Sequence, residues 1–141
     1  MTSKARVGFV GLGAQGGPIA RRILDAGFPT TLWARRSETL APYAGTAARV
    51  ATTRAELGAE SEVVCVCVVA DADVDEVLRG PDGALAAMAP DGVVVVHSTV
   101  HPETCRRLQA DYPSLHVLDA PVSGGGQLAS EGRLLVMVGG D

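Results

Sequence analysis

The stretch Val7-Gly8-Phe9-Val10-Gly11-Leu12-Gly13-Ala14-Gln15-Gly16-Gly17-Pro18-Ile19-Ala20 decides how the remaining residues are read. A short apolar segment suited to a strand runs into glycines at 11, 13 and 16, and a helix-forming segment follows. Each glycine of this G-x-G-x-x-G spacing has its own reason. Gly11 permits a tight turn after the strand, Gly13 lets a pyrophosphate approach the backbone without meeting a Cβ, and Gly16 lets the new helix lie close to the sheet. The free N–H groups and positive dipole end of that helix then face the anion. Pro18 suits the first helical turn, where its missing N–H costs nothing, and Ile19 and Ile23 are four apart on one helix face. A glycine turn that merely packs would match the same spacing. The strand before it and the helix after it favour a dinucleotide cradle.

Outward from this turn, strands alternate with helices. Asp25-Ala26-Gly27 supplies a helix stop, residues 30–34 read as the second strand, and Ser37 caps a short helix reaching about Ala44. Residues 49–51 form a brief third strand, followed by a turn or two of helix from Thr53 or Arg54 to Leu57. Residues 63–69 are a near-continuous apolar run, the mark of a strand buried on both faces. Residues 71–78 predict a helix with Val74, Val77 and Leu78 inward, and acids at 71, 73 and 75 suit its positive end. After a turn at 80–83 and a short helix at 85–88, residues 93–96 form a second fully buried strand. A helix over 102–110, a strand at Val117-Leu118, a helix over 127–130 and a last strand over 134–138 complete the pattern. This alternation predicts an α/β fold of the Rossmann type, a doubly wound, mainly parallel sheet with helices on both faces, formed by one nucleotide-binding domain over residues 1–141. Ligands of such sheets lie at the carboxyl ends of the strands.

The chain has 141 residues, 47% hydrophobic and 20% charged, which is enough for one domain with a sizeable core. With aromatic residues at only 4%, that core is built from Val, Leu, Ala and Ile. A net charge of -4 and the lack of a basic block argue against nucleic acid or an anionic membrane as partner and for a small molecule. No apolar run approaches the roughly 20 residues of a membrane span. Lys4 and Arg6 resemble the start of a signal peptide, but the glycines that follow break its apolar stretch, so a cytoplasmic location is expected. Cys65, Cys67 and Cys105 fit neither a disulfide framework nor a zinc spacing. Cys65 and Cys67 share one strand face as small hydrophobes, and no metal is expected.

The second strand ends Trp33-Ala34-Arg35-Arg36-Ser37. An NAD site usually has an acid there to accept from the ribose 2′-OH. Here two guanidiniums and a hydroxyl stand instead, suited to a 2′-phosphate through charge-assisted bonds. This favours NADP, with NAD as the other choice, unless Arg35 and Arg36 are only a solvated surface pair.

Gly8-Phe9-Val10-Gly11-Leu12-Gly13, Ser98-Thr99-Val100 and above all Asp119-Ala120-Pro121-Val122-Ser123-Gly124-Gly125, with Ala129, Gly132, Leu134, Met137 and Gly139-Gly140 beyond, resemble the β-hydroxyacid dehydrogenases. These include 3-hydroxyisobutyrate dehydrogenase, tartronate semialdehyde reductase and, more distantly, 6-phosphogluconate dehydrogenase. The resemblance covers essentially the whole chain. It implies hydride transfer between a nicotinamide cofactor and a small hydroxy acid or semialdehyde. It further implies that Gly11, Leu12, Gly13, Ala14, Gln15 and Gly16 hold the pyrophosphate, while Arg35, Arg36 and Ser37 hold the 2′-phosphate. Val69, Ala70 and Val74 would line the path from the adenine-side ribose to the nicotinamide, with Thr99 beside that ring. Ser123, Gly124 and Gly125 would bind the substrate's carboxylate, and a hydroxyl followed by unhindered glycine N–H groups is a reasonable nest for a small anion.

The chain departs from the family pattern at Gln15, Ala70 and Val96, where members often carry Met, Pro and Asp. The resemblance also implies an all-helical second domain after Asp141, which carries the family's acid–base lysine and most of a homo-oligomer interface. Lys4 is the only lysine in the chain and precedes the first strand, so it cannot take that role. His97 and His101 flank Ser98-Thr99 and could in principle move a proton, but His101 before Pro102 reads better as a helix start, and His116 adjoins a strand with no partner in view. Two other functions stay open: an imine reductase, whose family typically lacks the Ser-Gly-Gly block, and a nucleotide-binding module without catalysis.

Overall fold

The computed structural model describes residues 3–140. In chain order the elements are β1 (Val7–Val10), α1 (Gly16–Asp25), β2 (Thr30–Trp33), a 3₁₀ helix (Ser37–Tyr43), β3 (Arg49–Val50), α2 (Arg54–Ala59), β4 (Val63–Val66) and α3 (Asp71–Leu78). A second 3₁₀ turn (Leu85–Ala87), β5 (Val93–Val96), α4 (Pro102–Asp111), β6 (His116–Asp119), β7 (Val122–Ser123), α5 (Gly125–Ser130) and β8 (Leu135–Val136) follow. Six strands form one sheet in the order β3-β2-β1-β4-β5-β6, and every pair in it is parallel. The fold is the doubly wound Rossmann type. Its order reverses between β1 and β4, and a crevice opens there at the carboxyl ends of both strands.

Side chains alternate across the sheet as strand geometry requires. Val64 and Val66 of β4 join a core layer with Leu57, Val74, Leu78, Val94, Val96 and Leu108. Cys65, between them, enters the opposite layer with Phe9, Ala20, Leu24 and Leu32. Both layers are aliphatic, and α3 turns Val74, Val77 and Leu78 inward as the spacing predicts.

Four readings of the sequence need correction. The apolar run at 63–69 stops being a strand after Val66, and Val69 is 92% exposed. Beyond Cys67, whose N–H donates to the Val10 carbonyl, β1 has turned away at Gly11, and the Ser98 hydroxyl takes the Val68 N–H at 2.8 Å in place of a ladder partner. In β5 only Val94 and Val96 are fully buried, because α1 packs over β1 and β2 and leaves the β5 face carrying Val93 and Val95 partly covered. Ser37 does not cap its helix: Arg36 stands at the cap position without a side-chain bond, and Pro42 inside the segment, lacking an N–H, favours the tighter 3₁₀ form. The last strand does not join the parallel sheet. β8 pairs antiparallel with β7 in a separate ribbon, since the connection over 124–134 is shorter than the dozen or so residues a parallel crossover requires. Leu135, Val136, Met137 and Val138 on this ribbon are exposed.

Leu32 is fully enclosed whereas Val69 touches little. Leu32→Ala is therefore expected to lose about 2–5 kcal/mol of stability and Val69→Ala no more than about 0.5 kcal/mol, read from urea unfolding curves.

Candidate dinucleotide site

The turn after β1 is built by close contacts that only glycine allows. Gly11 has φ +100°, and a Cβ there would overlap the Cys67 carbonyl. A Cβ on Gly16 would overlap the Gly11 carbonyl and press on the Cys67 side chain, so α1 reaches the sheet only because that atom is missing. Gly13 differs from both. A Cβ there meets nothing within 4 Å, so the chain's own packing does not ask for glycine, and the open space in front of it fits a group brought in from outside. Among the described residues, the N–H groups of Leu12, Gly13 and Ala14 donate to no backbone carbonyl. Free donors beside an open glycine at a helix start make a place for phosphate oxygens.

A cleft of about 390 Å³ extends from this turn. Its walls are Gly11, Leu12 and Gly13, then Trp33 to Arg36 and Thr39, then Cys67, Val68 and Val69, with Asp73 and Val77 on α3. Gly11, Leu12, Gly13, Arg35, Arg36 and Val69 are thus brought together. Ala14 and Gln15 sit at the same turn, with Gln15 in the cap position of α1. Gly16 is buried behind it. Ser37 is exposed outside the cleft, and Thr39 lines the wall instead. Ala70 caps α3 and gives its N–H to Asp73 Oδ2 at 3.1 Å. Val74 is a correction: it is fully buried among core valines and leucines and offers no surface to a ligand. Its helical neighbours Asp73 and Val77 face the cleft. The spacing 73, 76, 77 was the available signal for that face, and Glu76 with it.

Thr99 is exposed one residue beyond Ser98, whose hydroxyl is spent on Val68. Ser123 ends β7, and Gly124 and Gly125 follow at φ +130° and +70°, conformations that favour glycine. The close approach of Gly126 to the Ala14 carbonyl sets the start of α5 beside the start of α1. The Ser-Gly-Gly segment is exposed next to the phosphate turn.

Several charged groups around the cleft are tied to one another. Arg35 Nη2 meets Glu76 Oε1 at 2.8 Å. Arg54 lies 5.5 Å from the centre of the Trp33 ring and donates to the Glu76 carbonyl at 2.9 Å. Asp71 accepts from the Thr104 hydroxyl and the His101 N–H, bonds that lower its pKa and tie α3 to α4.

Both histidines near Thr99 serve the fold. His97 stacks on Phe9 with ring centres 6.3 Å apart. Its Nδ1–H donates to the Ala120 carbonyl at 3.0 Å, and burial holds its pKa below the usual 6.5. His101 Nδ1 accepts the Glu103 N–H at 3.2 Å, capping α4. His116 does have a partner, Asp91 at 3.4 Å across the sheet's edge, which the sequence distance between them concealed.

Burial pushes Cys65 up to about 12 and Cys105 up to about 11, and raises Cys67, which lines the cleft, as well. Among the described residues no cluster of His, Cys, Asp or Glu could hold a metal ion. Among the described residues no helix is long and apolar enough to cross a membrane. A larger cleft of about 450 Å³ lies on the outer side of α1, between Pro18, Arg21 and Tyr43. It has neither strand ends nor open glycines, and the cradle chemistry belongs to the smaller one.

Residues 6–141 match the NAD-binding domain of 6-phosphogluconate dehydrogenase. The chain belongs to that family. A protein of Arabidopsis thaliana described as probable 3-hydroxyisobutyrate dehydrogenase-like 2, mitochondrial, is 36% identical over 99% of this NAD-binding domain and 47% of its own length. Mycobacterium tuberculosis 3-hydroxyisobutyrate dehydrogenase, solved with L-serine, superposes with TM-score 0.88 at 28% identity, over 98% of this chain and 47% of that one. Psf3 in complex with NADP+ and 2-OPP superposes with TM-score 0.89 at 33% identity, over 96% and 49%. The chain spans about half the length of the curated relatives it matches. A reductive aminase from Aspergillus terreus, at 21% identity, shares the fold.

Two outcomes follow for this domain. Gly13→Ala is expected to change stability by no more than about 0.5 kcal/mol while weakening nucleotide binding about tenfold or more, measured by calorimetry on the same preparation. For His97 the native pKa is depressed, so the unfolded chain takes up a proton first on acidification. The stability it lends is present above 6.5 and is lost as pH falls through its native value. His97→Gln is expected to flatten the fall in thermal stability between about pH 7 and about pH 5.

Proposed function

We propose that this domain binds NADP in preference to NAD and serves an oxidoreductase that moves a hydride between NADP(H) and a small hydroxy acid or semialdehyde of the 3-hydroxyisobutyrate or 2-hydroxy-3-oxopropionate type. The observation that carries the reading is the pair Arg35 and Arg36 on the cleft wall just past β2, where a NAD site usually has an acid. The glycine turn supports it with free N–H groups for a pyrophosphate.

The bound nicotinamide supplies the hydride chemistry, and the protein contributes binding, orientation and charge. On this reading Leu12, Gly13 and Ala14 hold the pyrophosphate, Arg35 and Arg36 hold the 2′-phosphate, and Val69 flanks the ribose. Thr99 stands near the nicotinamide, and Ser123, Gly124 and Gly125 receive the substrate's carboxylate, which orients its carbonyl. Residues 1–141 form the nucleotide-binding half, and a helical half would supply the acid–base lysine and the homo-oligomer contact. Lys4 cannot stand in for that lysine: its ammonium bonds the Ala26 carbonyl and lies 5.0 Å from the centre of the Phe28 ring, at the amino end of β1 and away from the cleft. Residues 1–141 alone are therefore expected to bind cofactor without turnover. A cytoplasmic location fits the composition.

A second reading, an imine reductase, has the fold of the reductive aminase behind it, and the Ser-Gly-Gly block counts against it. A module without catalysis is the third.

NADPH and NADH titrations of the wild type and Arg35→Asp decide the cofactor. Wild type is expected to bind NADPH at least about tenfold more tightly, a difference of about 1.4 kcal/mol, and the variant is expected to lose that preference. Equal affinities in the wild type, or an unchanged preference in the variant, would refute the assignment. Closure of a hydroxy acid such as tartronate onto the NADPH complex tests the substrate class.

A further inference from the structure

The Arg35 guanidinium, which the proposed function assigns to the 2′-phosphate, already has an anion: Glu76 Oε1 on α3, 2.8 Å away. The backbone at Glu76 is held in place, and its half-exposed side chain reaches Arg35. The Glu76 backbone carbonyl accepts from Arg54 at 2.9 Å, and the Arg54 guanidinium rests over the Trp33 ring at 5.5 Å from its centre. Trp33 ends β2, two residues before Arg35. The chain Trp33, Arg54, Glu76, Arg35 thus links β2, α2 and α3 and sets one carboxylate at the rim of the cleft, on the guanidinium it faces. Asp73, one turn earlier on α3, adds a second carboxylate to the same wall.

Three guanidiniums, Arg35, Arg36 and Arg54, stand here with two carboxylates, Glu76 and Asp73, so the rim stays positive overall but its Arg35 is already shared. A ribose 2′-phosphate brings close to two negative charges and must share Arg35 with Glu76 or displace it. Either way it meets a like charge within a few ångströms. Glu76 meets the Arg35 fork at Nη2 and the arginine side chain is well exposed, so the fork can still reach a phosphate, but the repulsion remains. A ligand with a free 2′-OH brings no such charge, and its hydroxyl can donate to a carboxylate.

We propose that Glu76 is a specificity-determining residue that weakens recognition of the 2′-phosphate by competing for Arg35, setting how strongly the site prefers phosphorylated over unphosphorylated adenine nucleotides. The inference rests on the assignment of the cleft to NADP. It concerns a residue that neither the glycine motif nor the end of β2 contains.

The experiment titrates wild type, Glu76→Gln and Arg35→Gln with NADPH, NADH, adenosine 2′,5′-bisphosphate and 5′-AMP by calorimetry, at low salt and at half-molar salt. The expected result is that Glu76→Gln tightens NADPH and the bisphosphate about three- to tenfold at low salt, leaves NADH and 5′-AMP unchanged or weaker, and shows a smaller gain at high salt, where charge is screened. Unchanged or weaker binding of the bisphosphate by Glu76→Gln, while Arg35→Gln abolishes its advantage over 5′-AMP, would overturn the role of Glu76 and leave the NADP assignment standing. Equal tightening of all four ligands would overturn it too, since it would mark a general opening of the cleft. If Arg35→Gln leaves the bisphosphate's advantage intact, the NADP assignment itself fails, and the role of Glu76 falls with it.

Discussion

Three backbones meet where Gly11, Gly16 and Cys67 come together, and there is no room for a β-carbon at either glycine. The constraint is steric and reaches far. It fixes the angle at which α1 leaves β1, brings the helix's free N–H groups to the end of the sheet, and sets the end of β4 beside that turn. The crevice between β1 and β4 exists because strand order reverses there, but its depth at the phosphate end comes from this contact. Gly13, one turn element away, is glycine for the opposite reason: nothing of the chain is near it.

Around that rigid turn the remaining walls are held by longer and softer interactions. The β2 end is tied to α3 through one exposed ion pair, of a kind that contributes little to folding, and its arrangement matters more for what the cleft accepts than for whether the domain folds. The floor is different in kind. Val74, Val77 and Leu78 lock α3 to the sheet by apolar burial, so the side chains that face a ligand are carried on elements whose own position does not depend on it.

The fold was legible because its strands are either unbroken apolar runs or sit beside glycine punctuation, and α3 over Asp71–Leu78 could be bounded from its acids and its inward valines. What the pattern could not show was where a hydrophobic run leaves the sheet. Val69 is as apolar as Val66, and only the departure of β1 at Gly11 and the capture of the Val68 N–H by Ser98 separate them. Val74 misled for a related reason: its position follows the strand end that lines the cleft, but one step around a helix turns a side chain from ligand to core. The β7–β8 ribbon was hidden because strand propensity does not state a partner. Arg35 was legible from its place after β2, while Glu76 had only its helical spacing from Asp73 to mark its face, and its pairing with Arg35 spans two intervening strands and two helices in the chain.

The three buried or half-buried thiols give the domain a built-in reporter. Cys65 in the layer under α1 and Cys105 on α4 are protonated at any physiological pH, and a thiol without its thiolate is a poor nucleophile. An alkylating reagent therefore reaches Cys67 on the cleft wall first, and Cys65 and Cys105 become reactive only when their own layers open. Cys65 and Cys105 lie on opposite sides of the sheet. The rates at which the two are labelled then time the loosening of each side separately, and a nucleotide clamped at the β1 turn would slow the first clock more than the second.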